Sequence, residues 1–189
     1  MNLLLRLSSL MVIAVCSLGA NLRAEEQNST HCIIGLFDPE RKDDLRECVK
    51  TMPDVQLVKL DYDTAEATFR YDVAKVIAGY NPKKPPTDEA IARHLDELLR
   101  TASNGTFTLK PGATIPKDKL EAIAIKVGIL DCRGCRYGAY LAIAKIEGVE
   151  RANINAETHT LTAWIDAAKT NRAALEDALK KARVELPAP

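Results

Sequence analysis

Between Val55 and Asp72 apolar residues alternate with polar ones in two runs, "VQLVKLD" and "EATFRYD", separated by a short polar stretch. That is the pattern of two half-buried strands joined by a hairpin turn. The pattern returns in "VERANI" and "TLTAWID" about a turn at "NAETH". Aligning Thr51–Val76 with Lys145–Thr170 shows the likeness to be longer than the hairpins. Each stretch has the end of an amphipathic helix, a small or polar residue before Val, two alternating strands, then Asp and "AK". The chain therefore reads as two copies of one unit.

In the second copy "EAIAIKVGIL" reads as a strand. A helix over 135–146 gathers Ala139, Leu141, Ala142 and Ile146 near one face, and Gly148 stops it where a left-handed cap costs little. After the hairpin come a second helix, "NRAALEDALKKAR", and a short last strand, "VEL". The first copy repeats the order with "HCIIGLF", "ERKDDLRECVKTM", the hairpin, "DEAIARHLDELLRTA" and "GTFTLK". Asp38 followed by Pro39 predicts the start of its first helix, with the carboxylate capping and proline at the first helical position. The insertion "IAGYNPKKPPT" is too rich in proline for a helix or a central strand. The order βαββαβ builds an antiparallel sheet with both helices on one face, so the predicted class is α+β, two tandem ferredoxin-like βαββαβ domains. Their expected bounds are 30–110 and 119–187, with a linker over 111–118.

The segment 1–24, "MNLLLRLSSLMVIAVCSLGANLRA", has one early Arg, an apolar run and small residues before polarity rises. It reads as a signal peptide cleaved near Ala20 or Ala24, and Val15 makes Cys16 a poor lipidation site. The run is broken by Ser8, Ser9 and Ser17, so no membrane span is expected in the mature chain. The expected location is exported, periplasmic or secreted. Without Arg6 and Arg23 the mature chain has a net charge of about −2. Nucleic acid is not an expected partner.

Four cysteines follow the signal: Cys32, Cys48, Cys132 and Cys135. Only the last two are close in sequence, as Cys-x-x-Cys between a predicted strand and a predicted helix. Around them the second copy, from Leu120 to Leu186, resembles the heavy-metal-associated domain family. Cys132, Cys135, Gly148 and Val149 fall at that family's spacing, and "INAETHTLTAWID" occupies the place of its second hairpin. The family's usual Gly-Met before the thiols is replaced by Ile129 and Leu130, while Asp131 matches an Asp-Cys-x-x-Cys form seen in some zinc, cadmium and lead transporters. Arg183 and Val184 stand where the family often has an aromatic residue or lysine near the metal. The first copy resembles a degenerate member, with "DPER" (Asp38–Arg41) in place of the thiols, suited to bracing or docking.

The resemblance implies a metal site of Cys132 and Cys135, with Asp131 as a third donor. A helix N-terminus beside Cys135, with Arg133 and Arg136 adjacent, favours thiolate. Two thiolates suit Cu(I) or Hg(II); Asp131 leaves Zn(II) and Cd(II) open. The implied function is that of an exported, non-enzymatic metal carrier or scavenger. Its implied partners are the metal ion and a metal transporter or other metal-accepting protein. Two alternatives stay open: a structural or protein-interaction module that keeps only the fold, and a thiol–disulfide oxidoreductase, against which stands the absence of proline between Cys135 and Leu186. His159 is expected near the thiol end as an exposed hairpin residue, and Tyr137 and Trp164 as packing residues. Cys48 is expected inward as a small hydrophobe and Cys32 away from the helices, which disfavours a bond between them. No catalytic motif is present.

Overall fold

A computed structural model describes residues 26–110 and 115–187. The expected signal peptide, its cleavage sites and Cys16 lie outside the described residues, as does the first part of the expected linker. Among the described residues no helix is long and apolar enough to cross a membrane.

The N-terminal half contains β1 (Glu26–Ile34), α1 (Arg41–Lys50), β2 (Val55–Asp61), β3 (Glu66–Asp72), a single turn α2 (Val73–Val76), α3 (Asp88–Ala102) and β4 (Thr108–Leu109). Its sheet runs β2-β3-β1-β4, and every pair is antiparallel. The C-terminal half contains β5 (Glu121–Lys126), α4 (Arg133–Ala144), β6 (Val149–Asn155), β7 (Thr160–Ile165) and α5 (Arg172–Lys181), with sheet order β5-β7-β6, again antiparallel. The architecture is α+β, two tandem ferredoxin-like units.

The repeat holds at the level of strand register. Val55 opposes Tyr71 and Asp61 opposes Glu66, while at the equivalent positions Val149 opposes Ile165 and Asn155 opposes Thr160. Each hairpin also carries one bulge, at Val58 in the first copy and at Glu150 in the second. Equivalent aspartates close both hairpins: Asp72 accepts from the N–H of Ala74 at 2.9 Å, Asp166 from that of Ala168 at 3.1 Å.

The helices begin and bury as their sequences dictate. Thr87 caps α3 through the N–H of Ala90 at 3.2 Å, and Ile91, Leu95 and Leu99 line its buried face. Asn171 caps α5 through the N–H of Ala174 at 3.1 Å, burying Leu175 and Leu179. Gly148 has φ +90°, and a Cβ there would stand 2.6 Å from that of Lys169. The position requires glycine, as predicted.

Three expectations are corrected. First, β1 starts at Glu26, ahead of His31, because Glu26–Cys32 pair residue by residue with β3. Second, α1 starts at Arg41 rather than at Pro39. Asp38 accepts from the N–H of Glu40 at 3.0 Å, but Pro39 and Glu40 form a tight turn whose first bond runs from the Arg41 N–H to the Asp38 carbonyl. Third, Val184–Leu186 do not form a strand. Arg183 takes φ +61° after α5, the Val184 N–H turns back to the Leu179 carbonyl at 3.0 Å, and a single bond links the segment to the end of β5, from the Gly128 N–H to the Glu185 carbonyl at 2.7 Å. Val184 and Leu186 still lie against the core, so the alternation predicted which side chains face inward and not the length of the ladder.

Each half has its own apolar core, and two residues of the first half, Ile34 and Phe37, pack into or against the core of the second. Phe37, from the loop after β1, is 1% exposed and belongs to the core of the C-terminal half. Its ring lies 5.6 Å from that of Tyr137 and 5.5 Å from that of Tyr140, in tilted arrangements favourable to aromatic pairs. Its carbonyl accepts from the N–H of Ile154 at 2.7 Å, and the Tyr140 hydroxyl accepts from the N–H of Gly35 at 2.9 Å. Burial drives the Tyr140 phenol above its ordinary pKa. Lys110 completes the junction, donating to the Val149 carbonyl at 2.8 Å and pairing with Glu150 at 2.7 Å. Phe37→Ala should therefore cost about 3–5 kcal/mol of stability. Calorimetry should show the C-terminal half unfolding at lower temperature, although the substituted residue belongs to the other half.

Candidate metal centre

β5 is secured at its end by the bond from the Val127 N–H to the His159 carbonyl at 3.0 Å. The chain then leaves the sheet through Gly128–Asp131 and enters α4. The helix begins at Arg133, earlier than expected, and Cys132 rather than Cys135 marks its start. Cys132 has extended backbone angles and is the N-cap, and its Sγ accepts from the N–H of Cys135 at 2.9 Å. A sulfur in that position faces the free N–H groups and the positive end of the helix, which favours the thiolate over the thiol.

The two Cα atoms are 5.1 Å apart, and the sulfurs are joined as a disulfide. Both cysteines are exposed. Two sulfurs thus meet at one surface point, a donor set that fits a soft ion once the bond is reduced. Among the described residues no group of three or more His, Cys, Asp and Glu side chains is placed to hold a metal. Asp131 is exposed beside the pair without being gathered into such a group, and His159 is an exposed hairpin residue with φ +47°.

The other thiols stand apart. Cys32 and Cys48 are both free, and burial pushes both above the usual thiol pKa. Cys32 is buried with its Sγ 3.7 Å from the Glu150 carbonyl. Cys48 lies partly buried against the N-terminal core. Tyr137 is half-buried against Phe37, and Trp164 is half-buried with the Lys117 ammonium 5.2 Å from its ring.

The turn that replaces the thiols in the first copy lies against the thiol loop of the second. Asp38 pairs with Arg136, Oδ2 to Nε at 3.2 Å, and both side chains are largely buried. That pair is a charge contact without a directed hydrogen bond, since the Nε–H is not aimed at the carboxylate. Arg136 also reaches back to the carbonyls of Leu130 at 3.4 Å and Asp131 at 3.2 Å, stitching the loop to its own helix. Asp44 pairs with Arg133, the residue after Cys132, and with Arg41 at 2.6 Å. Arg41 is buried, its guanidinium 4.1 Å from the Phe107 ring centroid, and its Nε donates to the Gly35 carbonyl at 3.2 Å. Arg133 and Arg136 are expected from the sequence to add positive potential beside the thiols. The structure pairs both with carboxylates from the other half.

No family model matches the chain, and no curated protein matches it. Similar solved structures exist. A CopZ metallochaperone is 21% identical, over 35% of this chain and 100% of its own, with a TM-score of 0.34. Oxidized MerP from Ralstonia metallidurans CH34 is 26% identical, over 36% of this chain and 94% of its own, with a TM-score of 0.34. The N-terminal soluble domains of CopA from Bacillus subtilis are 18% identical, over 86% of this chain and 93% of their own, with a TM-score of 0.33. These structural neighbours are heavy-metal-associated-domain proteins.

Exposure separates the four thiols, and burial raises the pKa of Cys32 and Cys48. In reduced, folded protein, brief alkylation followed by peptide mass spectrometry should label Cys132 and Cys135 at least tenfold faster than Cys32, with Cys48 between them. Equal labelling of all four would contradict the arrangement described.

Proposed function

We propose that this protein is an exported carrier or scavenger of a soft metal ion, bound by Cys132 and Cys135, with no catalysis of its own. The observation that carries the reading is the convergence of two exposed sulfurs at the N-terminus of α4. Reduction yields two thiols, and an ion that takes both as thiolates releases two protons. With two donors and, among the described residues, no preformed third, the site suits ions content with two sulfurs, Cu(I) or Hg(II). Zn(II) or Cd(II) would need Asp131, water or a partner's ligands to complete the shell. Exposure supports handing on: a recipient, such as a metal transporter, could replace one sulfur at a time, whereas a closed four-ligand site would hold its ion.

A second reading is favoured by one specific observation, the disulfide between Cys132 and Cys135. A Cys-x-x-Cys disulfide at a helix start is also the device of thiol–disulfide exchange.

One titration separates these readings. Reduced protein should bind one Cu(I) or Hg(II) per chain, seen as a sulfur-to-metal charge-transfer band, and more weakly one Zn(II) or Cd(II). Cys132→Ser and Cys135→Ser should each weaken binding at least a hundredfold. Absence of binding by fully reduced protein would remove the carrier reading and leave a fold kept for protein contacts. Catalysed reduction of a small disulfide substrate would promote the second.

A further inference from the structure

Beside the thiols stand three arginines and three carboxylates. Arg133, Arg136 and Asp131 come from the C-terminal half itself; Asp38, Asp44 and Arg41 come from the turn and helix opposite. The thiol loop considered alone carries an excess of positive charge, and the N-terminal half cancels it. Asp38 and Arg136 are 11% and 14% exposed at their side chains, so that pair is shielded from screening by salt more than a surface pair would be.

Charge of this kind acts unequally on different ions. Two thiolates with a monovalent ion make a complex of charge −1, and with a divalent ion a neutral one. Both form from the same metal-free protein, so its protonation state cancels when the two affinities are compared. Only the complexes differ, and a positive surrounding stabilises the anionic one alone.

We propose that Asp38 and Asp44 are specificity-determining residues of the thiol site, which neutralise Arg136 and Arg133 and so turn the site from monovalent towards divalent soft ions. The N-terminal copy, with Asp38–Arg41 where the other has its thiol pair, then serves as the charge partner of that pair. This inference rests on the carrier reading above.

The test compares Cu(I) with Hg(II), two ions of the same two-coordinate geometry and one unit of charge apart. Affinities of reduced wild type, Asp44→Asn and Asp38→Asn/Asp44→Asn are measured by competition with a chromogenic Cu(I) chelator and with a small dithiol for Hg(II). In the double variant the ratio should move towards Cu(I) by roughly three- to tenfold, and in Asp44→Asn by part of that. Asp43→Asn removes the same charge from the same helical turn, but at a carboxylate paired outward with Arg46 at 2.6 Å. It should leave the ratio within about twofold of wild type.

A second readout needs no metal. The rate of alkylation by iodoacetate relative to iodoacetamide reports the local potential independently of the thiolate fraction, and should rise in the double variant. Asp44→Asn keeps the Asp38–Arg136 pair and the Phe37 contact, which guards against a double variant that fails to fold. If both ions bind wild type and their ratio does not move, the carrier reading stands and this inference is overturned. An unchanged alkylation ratio also overturns it. If neither ion binds wild type, the carrier reading has failed and the selectivity falls with it.

Discussion

The ring of Phe37 belongs by sequence to the N-terminal half and by burial to the C-terminal one. It is seated against Tyr137 and Tyr140, both on the helix that Cys132 caps, so the same α4 carries the thiols at one end and receives the other half along its side. Burying an aromatic ring there repays the loss of freedom between two linked units. The backbone bonds on either side of Phe37 then leave the turn Asp38–Arg41 little choice of position. The charge pairing beside the thiol pair follows from that placement.

Two kinds of neighbour act on the thiol pair. The Cys135 N–H at the start of α4 points at the Cys132 sulfur and is held there by helix geometry. The arginine charges are different, for each is answered by a carboxylate some ninety positions earlier in the chain. The first influence is local and the second is tertiary. A site whose helix end attracts electron-rich sulfur while its surrounding charge is balanced is suited to hold an ion without closing over it.

Degeneracy in the first copy has a physical meaning on this view. In the first copy the turn Asp38–Arg41 stands at the place that Cys132–Cys135 hold in the second. That turn carries Asp38, with Asp44 six residues on in α1, and these meet Arg136 and Arg133 of the second copy. Cys32 and Cys48, buried and half-buried with raised pKa, are less available as soft donors than the exposed pair.

Much of this was legible in the linear chain, because strand alternation, helix faces, caps and turn glycines are decided within a few residues. The hairpins, α3, the Gly148 cap and the equivalence of the copies came from such local patterns. So did the meeting of Cys132 and Cys135, which needs only a helix start between them. The last strand was misjudged because alternation reports facing, whereas a ladder needs a partner edge long enough to accept it. The start of α1 was misjudged because Pro39 and Glu40 turn before the helix begins. The pairing of Arg133 with Asp44 and of Arg136 with Asp38 had no local signal at all. It depends on how two folded units dock, and docking is set by the shape and burial of surfaces that exist only once both units have formed.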